Sequence, residues 1–278
     1  MKYIFLIFSL VFFTMQAQTH RFIYEVQNKK DSIESNLNKE IYHLDIEGNN
    51  VYYYNRIAFV MDSLMTQKAE INSESVNPTE SMYDFVLHQR GSSQYENYEM
   101  LEFDMLKLTT EVQQDWKITG EQGKYQNFTI QKATTNWGGR KWTAWFTTDI
   151  PFPEGPHKFH GLPGMIMELR DDKGNYRFKL VKSERFDKSQ DHKFIMFWAK
   201  KAVPVNQEKY LKTKLNFYKD PLSFINNGKI DLSGGRKAGL KDGTIVSQEN
   251  MREVIANQQK KLIKYNNPIE LDKAIRYE

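Results

Sequence analysis

Apolar and polar residues alternate along much of the first two thirds of the chain. In one clear example, Tyr176, Phe178 and Leu180 alternate with the charged residues Arg177 and Lys179. Alternation with a period of two is typical of a strand that buries one face and exposes the other. The pattern predicts a β-rich region, residues 20–188, with strands over residues 21–27, 41–46, 50–61, 82–90, 95–109, 124–135, 141–148, 161–170 and 175–186.

Short polar turns join these predicted strands, and no regular succession of helices separates them. Residues 172–175, Asp-Lys-Gly-Asn, have the turn chemistry of a hairpin between the last two strands. Successive strands joined in this way favour an antiparallel meander over a parallel sheet with crossover helices. We therefore expect a mainly antiparallel, curved sheet, with a half-open barrel as its more closed form.

The last third of the chain changes to a helical period. Leu211 and Leu215 share one face of a helix predicted over residues 205–218. A second apolar stripe predicts a helix over residues 247–265. The sequence thus predicts an α+β fold in which a helical C-terminal part, residues 204–266, packs on the sheet.

Residues 1–17 have the features of a secretory signal peptide. Lys2 precedes an apolar run over residues 3–13, and the small Ala17 follows. The run is too short to span a bilayer. We expect cleavage after Ala17, a single domain over residues 18–278, and a periplasmic or secreted protein with no transmembrane segment.

Composition narrows the chemistry further. The 278-residue chain has no cysteine, which excludes a thiol nucleophile, a disulfide, a thiolate metal site and the acylated cysteine of a lipoprotein. The formal net charge is +4, and the lysines are spread among carboxylates instead of forming one patch. Nucleic acid is therefore not an expected partner.

Prolines and glycines are concentrated in residues 142–170, between two aromatic and aliphatic runs. Proline fixes φ and removes a backbone donor, whereas glycine adopts conformations closed to other residues. The sequence therefore predicts one defined path for the backbone in this region. The residues expected to set this path are Pro151, Gly155, Pro156, Gly161, Pro163 and Gly164.

The same region carries a resemblance to a known family. GLPGMI at residues 161–166, Gly139-Arg140, Lys158-Phe159 and the late run KYNNPIEL at residues 264–271 are similar to the GLPGLI family of exported Bacteroidetes proteins. The resemblance implies an exported, β-rich protein of a bacterium with two membranes. The family is uncharacterised, so the resemblance implies no activity.

Two histidines and two carboxylates in this region are the candidates for catalysis. His157 and His160, together with Asp149 or Glu154, suggest a metal-dependent hydrolase. No further ligand is placed by the local sequence, and structural roles for these side chains fit the proline-rich context better. Neither a G-x-S-x-G nor an H-E-x-x-H motif occurs. We predict no catalytic residue, no bound metal and no cofactor.

Aromatic residues give the stronger signal. Side chains of this size usually form a core, but around a partly covered sheet they would line an apolar groove. The predicted binding residues are Trp142, Trp145, Phe146, Phe152, Phe159, Leu162 and Met165. The preferred function is a non-catalytic binding or carrier protein for a lipid, a lipoprotein or a peptide. The alternatives are the metal-dependent hydrolase and a structural subunit of an outer-membrane complex.

Overall fold

A sheet of twelve strands dominates the computed structural model, which describes residues 18–67, 80–101, 103–240 and 242–277. The predicted signal peptide lies outside these residues. The strands are β1 (Thr19–Asn28), β2 (Asn38–Glu47), β3 (Asn50–Asn55), β4 (Phe85–Gln89), β5 (Gln94–Leu101), β6 (Asp104–Glu111), β7 (Lys117–Tyr125), β8 (Phe128–Trp137), β9 (Arg140–Thr147), β10 (Met165–Asp171), β11 (Tyr176–Phe186) and β12 (Val203–Val205).

Five α-helices, a small hairpin and three short 3₁₀ helices, Glu80–Tyr83, Ser233–Gly235 and Leu271–Lys273, complete the described structure. The α-helices are α1 (Arg56–Gln67), α2 (Lys193–Lys201), α3 (Gln207–Lys219), α4 (Ser223–Asn226) and α5 (Met251–Lys264), with β13 (Ala238–Gly239) and β14 (Ile245–Val246) as the hairpin. The two predicted C-terminal helices are confirmed as α3 and α5. None of the helices in the described ranges has the length and apolarity needed to cross a membrane.

The topology consists of two antiparallel meanders that meet at β1 and β11. The strand order is β12-β6-β5-β4-β3-β2-β1-β11-β10-β9-β8-β7. Tyr24 lies opposite Leu180 where the two meanders pair, and β12, which runs parallel to β6, is the exception to the antiparallel rule. The prediction of a mainly antiparallel sheet with C-terminal helices is confirmed.

The strand predicted over residues 50–61 is wrong in its second half. The chain leaves β3 at Asn55 and enters α1 at Arg56. The Asn55 side chain accepts a 2.8 Å hydrogen bond from the backbone N–H of Ile57, which satisfies a donor of the first helical turn. The strand predicted over residues 95–109 is two strands, β5 and β6.

A short connection shows that the sheet is strongly curved. Strands β6 and β7 are ten places apart in the sheet, which corresponds to about 48 Å in a flat sheet at about 4.8 Å per strand. Residues 112–116 alone connect them, and a chain of that length reaches roughly 20 Å. The sheet must therefore curl until these strands approach each other. No pairing joins β12 to β7 among the described residues, so the sheet stays open and the half-open barrel remains a prediction.

The concave face of the curled sheet holds the main core. The segment between β9 and β10 fills this face, where its Phe159 and Leu162, together with Met165 of β10, pack against the inward residues of β1, β2, β9 and β11. Helices α1 and α2 cover the outer face over β3 to β6 and form a second core. The C-terminal helices enclose a third, smaller core.

Candidate functional site

Residues 149–164, which we name the signature segment, fold into the concave face and are hydrogen-bonded to one another and to the start of β10. The backbone N–H of Gly161 donates to the carbonyl of Pro153 at 2.9 Å, and that of Ile166 donates to the carbonyl of Glu154 at 3.1 Å. The 112–116 connection passes over the segment, and the Trp116 indole N–H donates to the carbonyl of His160 at 2.8 Å. The segment is therefore held in one conformation and fills the concave face of the curled sheet.

Two glycines in GLPGMI are required for different reasons. Gly161 has φ of +90°, a left-handed conformation that other residues adopt at a cost. Gly164 has an ordinary φ, but a Cβ atom there would lie 2.0 Å from the carbonyl oxygen of Thr147. The first glycine is needed for its backbone angle and the second for close approach of two chain segments.

The predicted binding residues do not share one surface. Five of the seven lie in the main core with no more than 1% exposure: Trp142, Phe146, Phe159, Leu162 and Met165. Trp145 alternates with the most buried residues of β9 and is partly buried, packed against the main core. Phe152 lies at the rim of the signature segment. Ligand binding by this set remains a prediction, for which the partly buried Phe152 and Trp145 offer the remaining accessible surface.

The two histidines of the signature segment face different neighbours. The His157 ring lies 6.1 Å from the ring of Tyr53, while the His160 ring lies 5.2 Å from that of Tyr95. Burial, and then the charge of Lys158, lower the pKa of His157 to about 3. Across the described residues, no group of three or more His, Cys, Asp or Glu side chains is arranged to hold a metal.

The two carboxylates of the segment also separate. Asp149 is exposed at the surface. Glu154 is buried, and its Oε2 atom lies 3.3 Å from Nε2 of His88 on β4. His88 binds the carbonyl of Gln89 through Nδ1 at 3.0 Å, so the Glu154 contact holds the signature segment against the sheet. The ring of Tyr95 stacks on the His88 ring, with 4.2 Å between ring centroids. Its hydroxyl is buried and has no hydrogen-bond partner in the described part of the chain.

The residues that carried the family resemblance meet in one buried network. Arg140, at the start of β9, bonds through its guanidinium to the Asp171 carboxylate at 3.1 Å and to the Asn267 amide oxygen at 2.6 Å. It also donates to the carbonyls of Pro268 and Ile269. Arg140, which follows the β8–β9 turn, therefore binds the KYNNPIEL run at residues 267–269.

A buried ion pair ties the signature segment to the same run. The Lys158 ammonium binds the Glu270 carboxylate, and Lys273 binds the same carboxylate from the surface side. Burial would raise the pKa of Glu270, but the charge and hydrogen bond of Lys158 dominate and lower it. These charged residues therefore fasten chain segments together.

A second buried network, on the outer face, was not predicted from the sequence. Asp45 accepts two 2.7 Å bonds from Arg21, a 2.6 Å bond from the hydroxyl of Tyr54 and a 2.9 Å contact from Nε2 of His192. Burial opposes ionisation of Asp45, but the bonds from Arg21 and His192 lower its pKa to about 2. The network attaches the start of α2 to β1, β2 and β3. Because its members are scattered singly along the chain, no motif announces it.

Comparisons with known proteins give limited likeness. Two solved structures of PNGF-II, in different crystal forms, are each 15% identical to this chain. The first alignment covers 70% of this chain and 32% of that chain with a TM-score of 0.49, and the second covers 68% and 31% with a TM-score of 0.47. This chain therefore spans about a third of the length of those chains. A comparison with curated proteins gives no match.

A family model matches the part of the chain that contains the signature segment. The matched residues, 92–168, run from the turn before β5 into β10. They include His160, Glu154 and both glycines of GLPGMI. Over this range the chain is similar to the family described as "Protein of unknown function (Porph_ging)".

Proposed function

We propose that this chain is an exported periplasmic protein of the GLPGLI type that binds a lipoprotein or another extended peptide chain without catalysis. The GLPGMI run lies inside the matched residues 92–168, and the apolar run near the N-terminus supports export. The observation that carries the proposal is the solvent-facing rim of the signature segment, residues 151–153.

The rim is rigid and combines apolar and donor groups. Pro151 and Pro153 are exposed on either side of Phe152, whose ring lies 4.9 Å from the ring of His20 and 5.2 Å from the guanidinium carbon of Arg90. Because the prolines and the internal hydrogen bonds already fix its shape, binding requires little ordering of this surface. A peptide offers apolar side chains to Phe152 and carbonyl acceptors to Arg90.

The filled interior favours a surface-bound chain over an enclosed lipid. Phe159 packs against Trp137 at 4.9 Å and Trp142 at 4.7 Å between ring centroids. These rings occupy the space that an apolar ligand would need inside a curled sheet. The rim instead leaves its binding surface open to a partner of any length.

Photo-crosslinking from the rim tests the proposal. Replacement of Phe152 by p-benzoylphenylalanine in the native host is expected to trap a cell-envelope protein, identified by mass spectrometry. Phe103, which is 54% exposed elsewhere on the surface, provides the matched control position. We also expect this chain itself to be recovered from the periplasmic fraction and to begin at Gln18.

The absence of any adduct at position 152, or the same adducts at positions 152 and 103, would contradict binding at the rim. An adduct with an integral outer-membrane protein would instead support the structural-subunit alternative. Recovery from the cytosol with residues 1–17 intact would contradict export.

A further inference from the structure

Helix α2 presents an apolar and basic surface on the outside of the molecule. Lys193, Met196, Phe197 and Lys200 recur at i, i+3, i+4 and i+7, positions that share one helix face. Met196 is 47% exposed and Phe197 is 42% exposed. An apolar pair therefore lies in solvent between two lysines.

The opposite face of α2 holds the helix in a fixed orientation. Phe194 and Ile195 are 5% and 1% exposed in the second core. The backbone N–H of Phe194 donates to Asp62 of α1 at 2.7 Å, and the His192 ring stacks on Tyr52 at 4.1 Å. The exposed face is thus presented without the cost of folding a helix at the moment of contact.

Aromatic and basic side chains continue around the exposed pair. The Trp198 ring contacts the Phe197 ring edge-on at 5.3 Å, and Nζ of Lys201 lies 4.0 Å from the centre of the Phe197 ring. Tryptophan and lysine have an apolar body and a polar tip, which suits them to the boundary between hydrocarbon and water.

The charges of this surface are mostly uncompensated. Lys193 pairs with Asp191 at 3.0 Å, but within the described ranges no carboxylate forms an ion pair with Lys200 or Lys201. Lysines in the last turn of a helix also interact favourably with the negative end of the helix dipole. The surface therefore offers, among the described residues, two unpaired cations beside the exposed Met196 and Phe197.

We propose that α2 docks this protein on the surface of an anionic lipid bilayer. Met196 and Phe197 enter the boundary between headgroups and acyl chains, and Lys200 and Lys201 lie against the lipid phosphates. Charge complementarity favours lipid phosphate as the occupant, because the unpaired Lys200 and Lys201 beside the exposed Met196 and Phe197 match a surface that is anionic outside and apolar beneath. This docking does not depend on peptide binding at the rim.

Vesicle flotation of the mature protein, residues 18–278, tests the proposal. Vesicles of phosphatidylethanolamine with phosphatidylglycerol are compared with vesicles of phosphatidylcholine alone. We expect binding to the anionic vesicles, weakened at high salt, and a blue shift of tryptophan fluorescence that the Trp198→Phe variant lacks. The Met196→Ser/Phe197→Ser double variant should abolish flotation. Lys200→Gln/Lys201→Gln should weaken it by roughly tenfold or more, as expected when two charges near an anionic surface are removed.

The matched control is Lys117→Gln/Lys124→Gln, which makes the same charge change on exposed positions of β7 and should leave flotation intact. Circular dichroism and thermal melting establish that each variant is folded. Failure of the wild-type protein to float with anionic vesicles would overturn the proposal. Equal flotation of the Met196→Ser/Phe197→Ser variant, or equal loss in the β7 control, would overturn it as well.

Discussion

At the residue scale, the backbone conformation of the signature segment depends on two glycines, Gly161 and Gly164. Gly164 lies against the end of β9, and any side chain there would overlap the Thr147 carbonyl. We expect Gly164→Ala to destabilise the protein by about 3 kcal/mol, because the backbone must move to admit the methyl group. Gly161→Ala should cost roughly 1–2 kcal/mol for its positive φ alone.

Urea denaturation measures both changes. Gly120→Ala is the control, since its φ is ordinary and a Cβ atom there meets nothing within 4 Å. It should be nearly neutral. Equal stability of Gly164→Ala and Gly120→Ala would show that the segment does not require the close approach at Thr147.

His157 makes the signature segment sensitive to acid. Its pKa in the folded protein is about 3, below the ordinary value of 6.5, so the unfolded chain takes up the proton first as the pH falls. The stabilisation is complete above about pH 6.5 and is lost progressively below it. Between pH 6.5 and 5 we expect a loss of about 1 kcal/mol from this residue, because the ring keeps some contact with solvent.

The informative variant is His157→Asn. His157 has φ of +59°, a conformation that asparagine tolerates better than most residues. The variant should fold at neutral pH and lose less stability on acidification, as followed by thermal melting at a series of pH values. A wild-type-like acid loss in His157→Asn would exclude this residue as the cause.

At the scale of elements, the sequence predicts the strands and helices whose apolar residues are regularly spaced. Strand β11 buries alternate residues and α3 repeats apolar residues at helical spacing, so both are visible without a structure. Strand β7 is missed except for its last two residues because, as an edge strand with no fully buried residue, it shows no clear alternation. Helix α2 is missed because its apolar residues form one short unbroken run, residues 194–199, and periodicity alone does not assign such a run to a helix or a strand.

The candidate site is less predictable than the strands around it. Sequence reasoning locates the signature segment and its glycines, because proline and glycine act on the local backbone. It does not find the partner of Glu154, since His88 belongs to another meander, nor that of Arg140, which binds Asn267 at a separation of 127 residues. Pairing across such distances is set by the curl of the sheet and leaves no local pattern.

At the scale of the whole molecule, the C-terminal segment, residues 266–277, joins opposite ends of the curled sheet. The helical part is attached to β5, where Tyr210 and Lys214 both bind Glu99. The chain then returns across the molecule to Arg140 on β9 and to Lys158 in the signature segment. Loss of the Arg140 contacts should therefore destabilise parts of the molecule well beyond β9.

Arg140→Lys tests this coupling. Lysine cannot reproduce the several guanidinium bonds, so buried partners lose their donor. We expect a loss of about 3–5 kcal/mol and a melting temperature lower by roughly 10 °C. Arg177→Lys, at a side chain that is 46% exposed, is the matched control and should change little. Amide hydrogen exchange should accelerate in residues 266–271 and, through Lys158 and Glu270, in the signature segment. Faster exchange confined to residues 266–271 would mean that Arg140 stabilises the C-terminal segment but that this segment does not stabilise the signature segment.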